Sequence, residues 1–497
     1  MSRHNNNSEI TRAIRRLGLA CNWHEGIDAE LKQCAERAAD VIAEADRVDL
    51  RHLPFVTIDG ADAKDYDDAI YCQLSDEGTV LWVAIADVAS YVSVDSVIDK
   101  EAFKRGNSTY LPDRVLPMLP PLLSNDLCSL LPDKDRPVLA CRMVFGKRAE
   151  MLDYRFSKAL IHSRRRLTYQ QVQTFFGGGS SIACAEVSSM LRTAENLYRA
   201  LRKSRQARGA LDLDVPQRRL CFDKNQCIEA VVPLLRNDAH RMIEEFMVCA
   251  NVAAARYLSS QGTSFLSRVH EGIKKEMLPA LDNFLRCLGF HLTGVEAIDV
   301  ARLIDKTSEH ASKRIIHMMI LSSLQRAAYA PSQQGHFGLA LSHYTHFTSP
   351  IRRYPDLLVH RAIHATLGLA GGHRYSLDEL KSRGRHCSMT ERQSDEAVWD
   401  IERYFLCVLA QAKEGRIYSG VITTVVAFGL FVELTELQTS GLLHVKCLGN
   451  DYYEFNEPHQ CLKGVRSGKT YKIGQTIKVL IKSVRPDERK IDLIPAS

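Results

Sequence analysis

The chain has 497 residues, 45% of them hydrophobic and 25% charged, with a net charge of +6. That length suits two to four domains, no apolar run approaches the roughly 18 residues of a membrane span, and the start lacks the apolar core of a secretory signal. The fourteen cysteines are scattered, form no CxxC pair and sit mostly in apolar contexts (Cys72, Cys128, Cys141, Cys249, Cys407), which argues against a disulfide framework or zinc ribbon and for reduced thiols in a cytoplasm.

Residues 1–50 read as polar, linker-like helices, with amphipathic segments over 9–17 and 28–45. A strand-rich block follows over 51–145. Its apolar run 53–58 leads into Ile58-Asp-Gly-Ala-Asp-Ala-Lys-Asp-Tyr-Asp-Asp68, and the runs 69–74 and 81–88 come next. Five carboxylates, Asp59, Asp62, Asp65, Asp67 and Asp68, therefore crowd between strands. In a partly dry site their repulsion raises some pKa values unless cations neutralise them. Hard oxygen ligands suit Mg²⁺ or Mn²⁺. On carboxylate density alone, a divalent-metal centre for phosphoryl transfer and a solvated acidic turn are both open. Four prolines stiffen 111–121. Tyr110 stands at the mouth of that loop, placed to stack on a nucleobase or to pack in a core.

Residues 146–330 read as helical. Segments 167–175 and 187–208 show helical periodicity, the second with a polar stripe of Arg199, Arg202, Lys203 and Gln206. Short strands are expected at 211–214 and 220–222. A long helix over 239–258 opens with Glu244 and Glu245 beside an apolar run. Basic clusters at 147–148, 164–166 and 199–208 suit a polyanion held by its phosphates, although each alone fits a solvated helix face.

Tyr344-Thr-His-Phe-Thr-Ser-Pro-Ile-Arg-Arg-Tyr-Pro-Asp356 reads as a structured turn. Pro355 biases Tyr354 toward extended geometry and opens a helix. Arg352 and Arg353 can grip a phosphate bidentately. His360 and His364 are spaced i, i+4, but Arg361 stands where a zincin needs Glu, so they read as packing histidines. A further helix includes 389–397 and ends near 412. Five strands at 415–426, 429–434, 441–445, 475–484 and 490–494 fit a small barrel of the OB type. Phe428, Phe431 and His444, with the cations of 463–490, offer a platform for single-stranded nucleic acid; core packing is the other use for the phenylalanines.

Taken in order, several stretches resemble the landmarks of the ribonuclease II/ribonuclease R (RNB) family. They are Thr57-Ile-Asp-Gly-Ala-Asp-Ala-Lys-Asp-Tyr-Asp-Asp-Ala, Asn125-Asp-Leu-Cys-Ser-Leu, Arg236-Asn-Asp-Ala-His, His336-Phe-Gly-Leu and His346-Phe-Thr-Ser-Pro-Ile-Arg-Arg-Tyr-Pro-Asp. The barrel's Gly429-Leu-Phe-Val and Gly441-Leu-Leu-His-Val are similar as well. Asn450-Asp-Tyr-Tyr and Asp487-Glu-Arg-Lys-Ile-Asp point to the ribonuclease R branch. The resemblance covers 48–497 and implies an α+β protein. Its expected parts are an N-terminal helical linker region (1–50), an RNB catalytic domain with a mixed sheet and helices around an RNA channel (51–414), and a C-terminal OB-fold RNA-binding domain (415–497). The implied activity is processive 3′-to-5′ hydrolysis of single-stranded RNA to nucleoside 5′-monophosphates, in RNA decay or processing, with Mg²⁺ (or Mn²⁺) at two metal positions. A cytoplasmic monomer is expected, acting on RNA with a free 3′ end, without a membrane, and in association with RNA-decay or ribosomal components.

Residue by residue, the resemblance implies Asp59, Asp65, Asp67 and Asp68 at the metals, with Asp67 indispensable for cleavage and Asp62 peripheral. Arg352 would steady the scissile phosphate, Tyr110 would stack on the terminal nucleotide, and Glu244 would contact a ribose hydroxyl. Arg353, Tyr354, Glu391 (with Glu396 competing), Phe428, Phe431 and His444 are further expected RNA contacts. Leu213 stands where the family's second stacking aromatic is usual. The family normally carries two cold-shock barrels ahead of the catalytic domain, where this sequence has only the helical residues 1–50, and the branch's lysine-rich tail is also absent. Weaker RNA capture with an intact catalytic channel is expected from that. A catalytically weak RNA-binding regulator on the same scaffold should show eroded acidic positions, and none is eroded here. A phosphodiesterase for short oligoribonucleotides stays open as an alternative.

Overall fold

The structure, a computed structural model, describes residues 3–496 apart from 180–181, 183, 214–216, 225–226, 311 and 457–459. Helices α1 (Arg3–Arg16), α2 (Ile27–Glu36) and α3 (Ala38–Ile42) come first. They are followed by β1 (Val48–Asp49), β2 (Val56–Asp59), β3 (Asp68–Ser75), β4 (Gly78–Ala86) and α4 (Val97–Arg105). A small ribbon of β5 (Thr109–Tyr110) and β6 (Val115–Leu116) precedes β7 (Asp135–Phe145), β8 (Met151–His162) and β9 (Arg165–Thr168). Seven of these strands form one mixed sheet in the order β1-β8-β7-β4-β3-β2-β9. The β1/β8 and β2/β9 pairs are parallel and the others antiparallel.

Strand β4 is central, and its unbroken apolar run reflects cover on both faces. Leu81, Val83 and Ile85 join one core with α5 (Tyr169–Phe176), α6 (Ala185–Arg208) and, beyond the hairpin β10 (Gln217–Phe222) and β11 (Ile228–Leu234), α7 (Asp238–Ser260). Ala84 and Ala86 face a second core that includes Ile27, Cys34, Val41 and Leu50. The stretch 1–50 is therefore packed structure rather than polar linker. Its expected helix over 28–45 breaks at Arg37, which caps both α2 and α3.

The chain continues through β12 (Ser267–Val269), α8 (Leu278–Cys287), α9 (Ala297–Lys306), α10 (Lys313–Ser323), β13 (Ala328–Ala330), α11 (Tyr354–Leu367) and α12 (Leu377–Gln411). Strands β14 (Ile417–Val426), β15 (Gly429–Leu434), β16 (Thr439–His444), β20 (Thr476–Arg485) and β21 (Lys490–Pro495) close the expected barrel. A three-stranded sheet of β17 (Tyr453–Asn456), β18 (Cys461–Gly464) and β19 (Thr470–Lys472) was not anticipated. Glu9 of α1, Asp400 of α12 and Arg489, between β20 and β21, form a clamp: Arg489 reaches Glu9 at 3.2 Å and Asp400 at 2.9 Å.

Three local expectations fail. Residues 151–162 and 165–168 are strands, not part of a helical region. The charges of β8 hide its period, because Lys158 is buried against Glu44 at 2.6 Å. Residues 211–213 form no strand, and Asp214 lies outside the described residues. Tyr354 is helical, and the extended residue is its predecessor Arg353, at φ −136°, which caps α11. The histidine pair behaves as read: His360 and His364 are wholly buried, the first bonded to the Phe347 carbonyl at 2.8 Å and the second 3.4 Å from Asp87.

Candidate active site

The acidic stretch is the loop joining β2 to β3. Asp59 ends β2 opposite Thr168 of β9, and Asp68 opens β3 opposite Ile85 of β4. Backbone ties fix the loop between them. Ala86 N–H donates to the Asp67 carbonyl at 2.9 Å and Leu130 N–H to the Tyr66 carbonyl at 3.0 Å. Ser129 Oγ accepts from Tyr66 N–H at 3.0 Å and donates to the Lys64 carbonyl at 2.8 Å. The 125–130 landmark thus backs the loop. Arg166 of β9 lies over the Tyr66 ring at 5.4 Å and donates to the Ala61 carbonyl.

The arginine turn arrives from far along the chain. Ile351 N–H donates to Asp67 Oδ1 at 2.8 Å, across 284 positions of sequence. Arg352 Nε lies 3.4 Å from Asp67 Oδ2, and Arg352 Nη2 donates to Ser349 Oγ at 2.9 Å. Buried Asp356 sets the turn by accepting from Ser349 N–H at 2.8 Å and from Arg353 Nη2 at 2.7 Å. The Arg352 carbonyl accepts from Ser108 N–H at 2.9 Å, which joins the turn to the chain leading into β5. Gly106 makes that junction possible: at φ 71°, a Cβ there would stand 2.0 Å from Thr390 Oγ1 of α12.

Acidic loop and arginine turn line one cavity of about 1040 Å³, together with Tyr110, Asn125, Tyr169, Arg236, His240 and Glu244. Its electrostatics are those of crowded, poorly hydrated carboxylates. Burial pushes Asp67 far above the ordinary range against the opposing pull of Arg352 and the Ile351 amide. Burial and the neighbouring Asp59 push Asp68 up to about 7, again against Arg352. Asp59 is raised by burial and by Asp65. Tyr110 donates to Asp65 Oδ2 at 2.6 Å, and partial burial with that carboxylate raises its phenol.

All five aspartates of the loop line this cavity, as do Tyr110, Glu244, Arg352 and Arg353. Asp62 is exposed and pairs with Arg219 of β10 at 2.9 Å. Glu244 already has cations on two sides, Arg205 at 3.3 Å and Arg236 in contact. Leu213 lines an adjoining cavity of about 750 Å³, which shares Arg236 and Glu244 with the first and extends past Arg202, Arg218 and Arg314 to Glu433 and Gln438 of the barrel region. Phe428, half exposed, meets Phe431 edge-on at 6.3 Å, and His444 pairs across the ladder with Gly429. These three stay together on the barrel, away from the acidic loop.

Two further candidates line neither of these cavities. Tyr354 is wholly buried, donates to Asp99 Oδ1 at 3.0 Å and accepts from Arg383 Nη1 at 2.9 Å; the start of α11 turns it into the core. Glu391 sits on α12 in a bidentate pair with Arg268, at 2.7 and 2.9 Å, and its competitor Glu396 is exposed. Sequence reasoning passed over Tyr169 and His240, whose rings stack 3.9 Å apart at 19°. His240 lies in the 236–240 landmark and could have been singled out; a lone tyrosine at a helix start carries no such signal.

The donor set fits a hard divalent cation. Asp67 Oδ2 is buried with no hydrogen-bond partner, and the surrounding carboxylates repel one another unless neutralised. Among the described residues, no group of three or more His, Cys, Asp or Glu side chains could hold an ion by itself. A stability test follows. A folded-state carboxylate pKa raised from 3.8 to about 7 means the folded protein loses stability as pH rises through that window. A cation that replaces the proton restores it. Mg²⁺ should therefore raise the melting temperature by a few degrees more at pH 8 than at pH 5.5. Equal shifts at both pH values, read by thermal scanning, would contradict cation binding here.

An acidic loop on a mixed sheet, faced by a fixed arginine turn and followed by an OB-type barrel, defines an α+β protein that presents clustered carboxylates beside a cationic cleft. The RNB domain family matches residues 47–368, and the S1 RNA binding domain matches residues 411–494. The chain belongs to the RNB family. It is 40% identical over 496 residues to ribonuclease R of Escherichia coli (strain K12), covering 97% of this chain and 61% of that protein. It is 39% identical over 497 residues to ribonuclease R of Vibrio parahaemolyticus, covering 97% and 59%. The chain thus spans about three-fifths of the length of these curated relatives. The solved structure of Mycoplasma genitalium RNase R in complex with ribose methylated single-stranded RNA superposes with a TM-score of 0.92 at 30% identity, over 98% of this chain and 77% of that one.

Proposed function

We propose that this protein is a 3′-to-5′ exoribonuclease that hydrolyses single-stranded RNA to nucleoside 5′-monophosphates with Mg²⁺. The observation that carries the reading is the convergence of Asp59, Asp65, Asp67, Asp68 and Arg352 on one cavity. The continuation of that cavity past arginines toward the barrel supports the polyanionic substrate. In this reading catalysis belongs to residues within 51–414 and RNA capture is shared with 415–497.

The four aspartates would hold Mg²⁺, which when bound activates the attacking water and neutralises the leaving oxygen. Asp67 keeps one oxygen on the Ile351 amide and turns the other toward Arg352. Arg352, oriented through Ser349, offers its guanidinium to the charge developing on the scissile phosphate. Arg353 is committed to Asp356 and shapes the turn. Tyr110 and Tyr169 provide ring surfaces for the terminal bases. Glu244, held between arginines, accepts from a ribose 2′-hydroxyl and so favours RNA over DNA. Phe428, Phe431 and His444 guide the strand on the barrel. Among the described residues no helix is long and apolar enough to cross a membrane; a cytoplasmic site of action, a free RNA 3′ end as the point of attack and a monomeric state belong to the same proposal.

The test is 5′-labelled single-stranded RNA incubated with Mg²⁺ or EDTA. A ladder shortening from the 3′ end, seen only with Mg²⁺, is expected; laddering that survives EDTA would overturn the mechanism. Tyr110→Phe probes one ligand's orientation. It keeps the ring but loses the donor to Asp65, so the Mg²⁺ concentration for half-maximal cleavage should rise roughly tenfold, as for one hydrogen bond to a charged group. An unchanged Mg²⁺ requirement would remove Tyr110 from the support of Asp65.

A further inference from the structure

A third cavity, of about 560 Å³, shares no lining residue with the first two. Four cations line it, Arg268, Lys274, Arg326 and Arg392, against two carboxylates, Glu391 and Asp395. Among the described residues only Arg268 of these cations is held in an ion pair, with Glu391. Lys274 and Arg392 donate to the backbone carbonyls of Ser322 and Ser388, at 3.3 and 2.9 Å. The lining therefore has a cationic surplus that a dianion would match.

One layer of side chains separates this cavity from the catalytic one. Arg268 N–H donates to the carbonyl of Tyr344, which lines the catalytic cavity. The Arg268 guanidinium lies 4.6 Å from the Tyr329 ring, and Tyr329 bonds His346 at 2.8 Å. On the other flank, Asn107 and Thr109 bond Ser394 Oγ at 2.9 and 2.8 Å. Their neighbours Ser108 and Tyr110 face the catalytic cavity, while Asp395, next to Ser394, faces the third.

If RNA threads into the catalytic cavity along the cationic route from the barrel, each turnover frees a mononucleotide behind a strand that still fills that route. We propose that the third cavity binds the nucleoside 5′-monophosphate product and is its way out, opened when phosphate replaces the Glu391 carboxylate on Arg268. The exchange is even-handed: a guanidinium accepts carboxylate and phosphate through the same two-pronged contact. The product's 5′-phosphate carries close to two negative charges at neutral pH, and the cavity's size falls within the range for small-ligand sites. Glu391 acts here as a stand-in for phosphate rather than as an RNA contact. This exit role rests on the exonuclease reading; the anion site does not.

The experiment uses adenosine 5′-monophosphate and the Arg326→Ala/Arg392→Ala double variant, both positions being on the surface. In equilibrium dialysis without Mg²⁺, the double variant should bind the nucleotide about tenfold more weakly. With labelled RNA, the double variant should cut the first bond in a single turnover within twofold of wild type. It should release mononucleotide several-fold more slowly at steady state, with a raised inhibition constant for added nucleotide. Unchanged nucleotide binding in the double variant would overturn the site. First-bond and steady-state rates falling together would overturn the exit role. A wild type that releases no mononucleotide would overturn the exit role along with the exonuclease reading, while the dialysis result still decides the anion site.

Discussion

Asp67→Asn should abolish Mg²⁺-dependent RNA cleavage, by on the order of 10³-fold or more, while leaving the protein folded. Asparagine keeps an oxygen for the Ile351 amide and nearly the same volume. It removes the ability to carry charge at a position where charge is costly, since Asp67 is buried and its second oxygen has no hydrogen bond and only Arg352, 3.4 Å away, to answer it. Burial pushes the Asp67 carboxyl upward and so favours its neutral form, so in EDTA the variant should melt closest to wild type at the acid end of the pH range. At pH 8 it should melt at or above wild type. Function and metal-free stability thus oppose each other at one residue. A variant that both loses activity and melts lower in EDTA at pH 8 would show that Asp67 holds the fold rather than the cation.

The second large effect lies beneath the arginine turn. Asp99 accepts from Arg361 at 2.8 Å and from Tyr354 at 3.0 Å, and the Arg361 side chain has no exposed surface. Arg361 also donates to Tyr375 and to the Val92 carbonyl, each at 2.9 Å. Asp99→Asn leaves that guanidinium buried without a countercharge, a loss of about 3–5 kcal/mol. Because the network seats α11, whose start carries the arginine turn, activity should fall at temperatures where wild type is unaffected. Adding Arg361→Met to Asp99→Asn should recover much of the stability, since an apolar side chain replaces a stranded charge. Denaturant midpoints read both; a double variant less stable than Asp99→Asn alone would rule out the ion-pair account.

The parts of this site that could be read from sequence were those written contiguously. The aspartates of the β2–β3 loop crowd one short stretch, and the turn around Arg352 is punctuated by Pro350 and Pro355. What could not be read depends on which way a helix faces. Tyr354 follows two arginines and so resembled a third contact, but it is the first residue of α11 and points into the core. Glu391 lies on a 35-residue helix, where several carboxylates compete and only packing decides which meets Arg268. Strand β8 was missed because its buried Lys158 reads as solvent-facing until Glu44, more than a hundred positions earlier, is brought beside it. The barrel was legible because its strands alternate between glycine breaks; the sheet β17–β19 has too few residues per strand to show a period.

The hydrogen bond from Ile351 to Asp67 also has a consequence in time. A ribosome delivers the acidic loop early and the arginine turn 284 residues later. Until the turn emerges, the loop lacks both the amide that orients Asp67 and the guanidinium that answers it. The centre is completed only after the arginine turn has emerged, so a nascent chain carries all the aspartates but not the assembled site. On the exonuclease reading proposed above, synthesis beside its own message is then a safe interval, guarded by the order of the sequence itself.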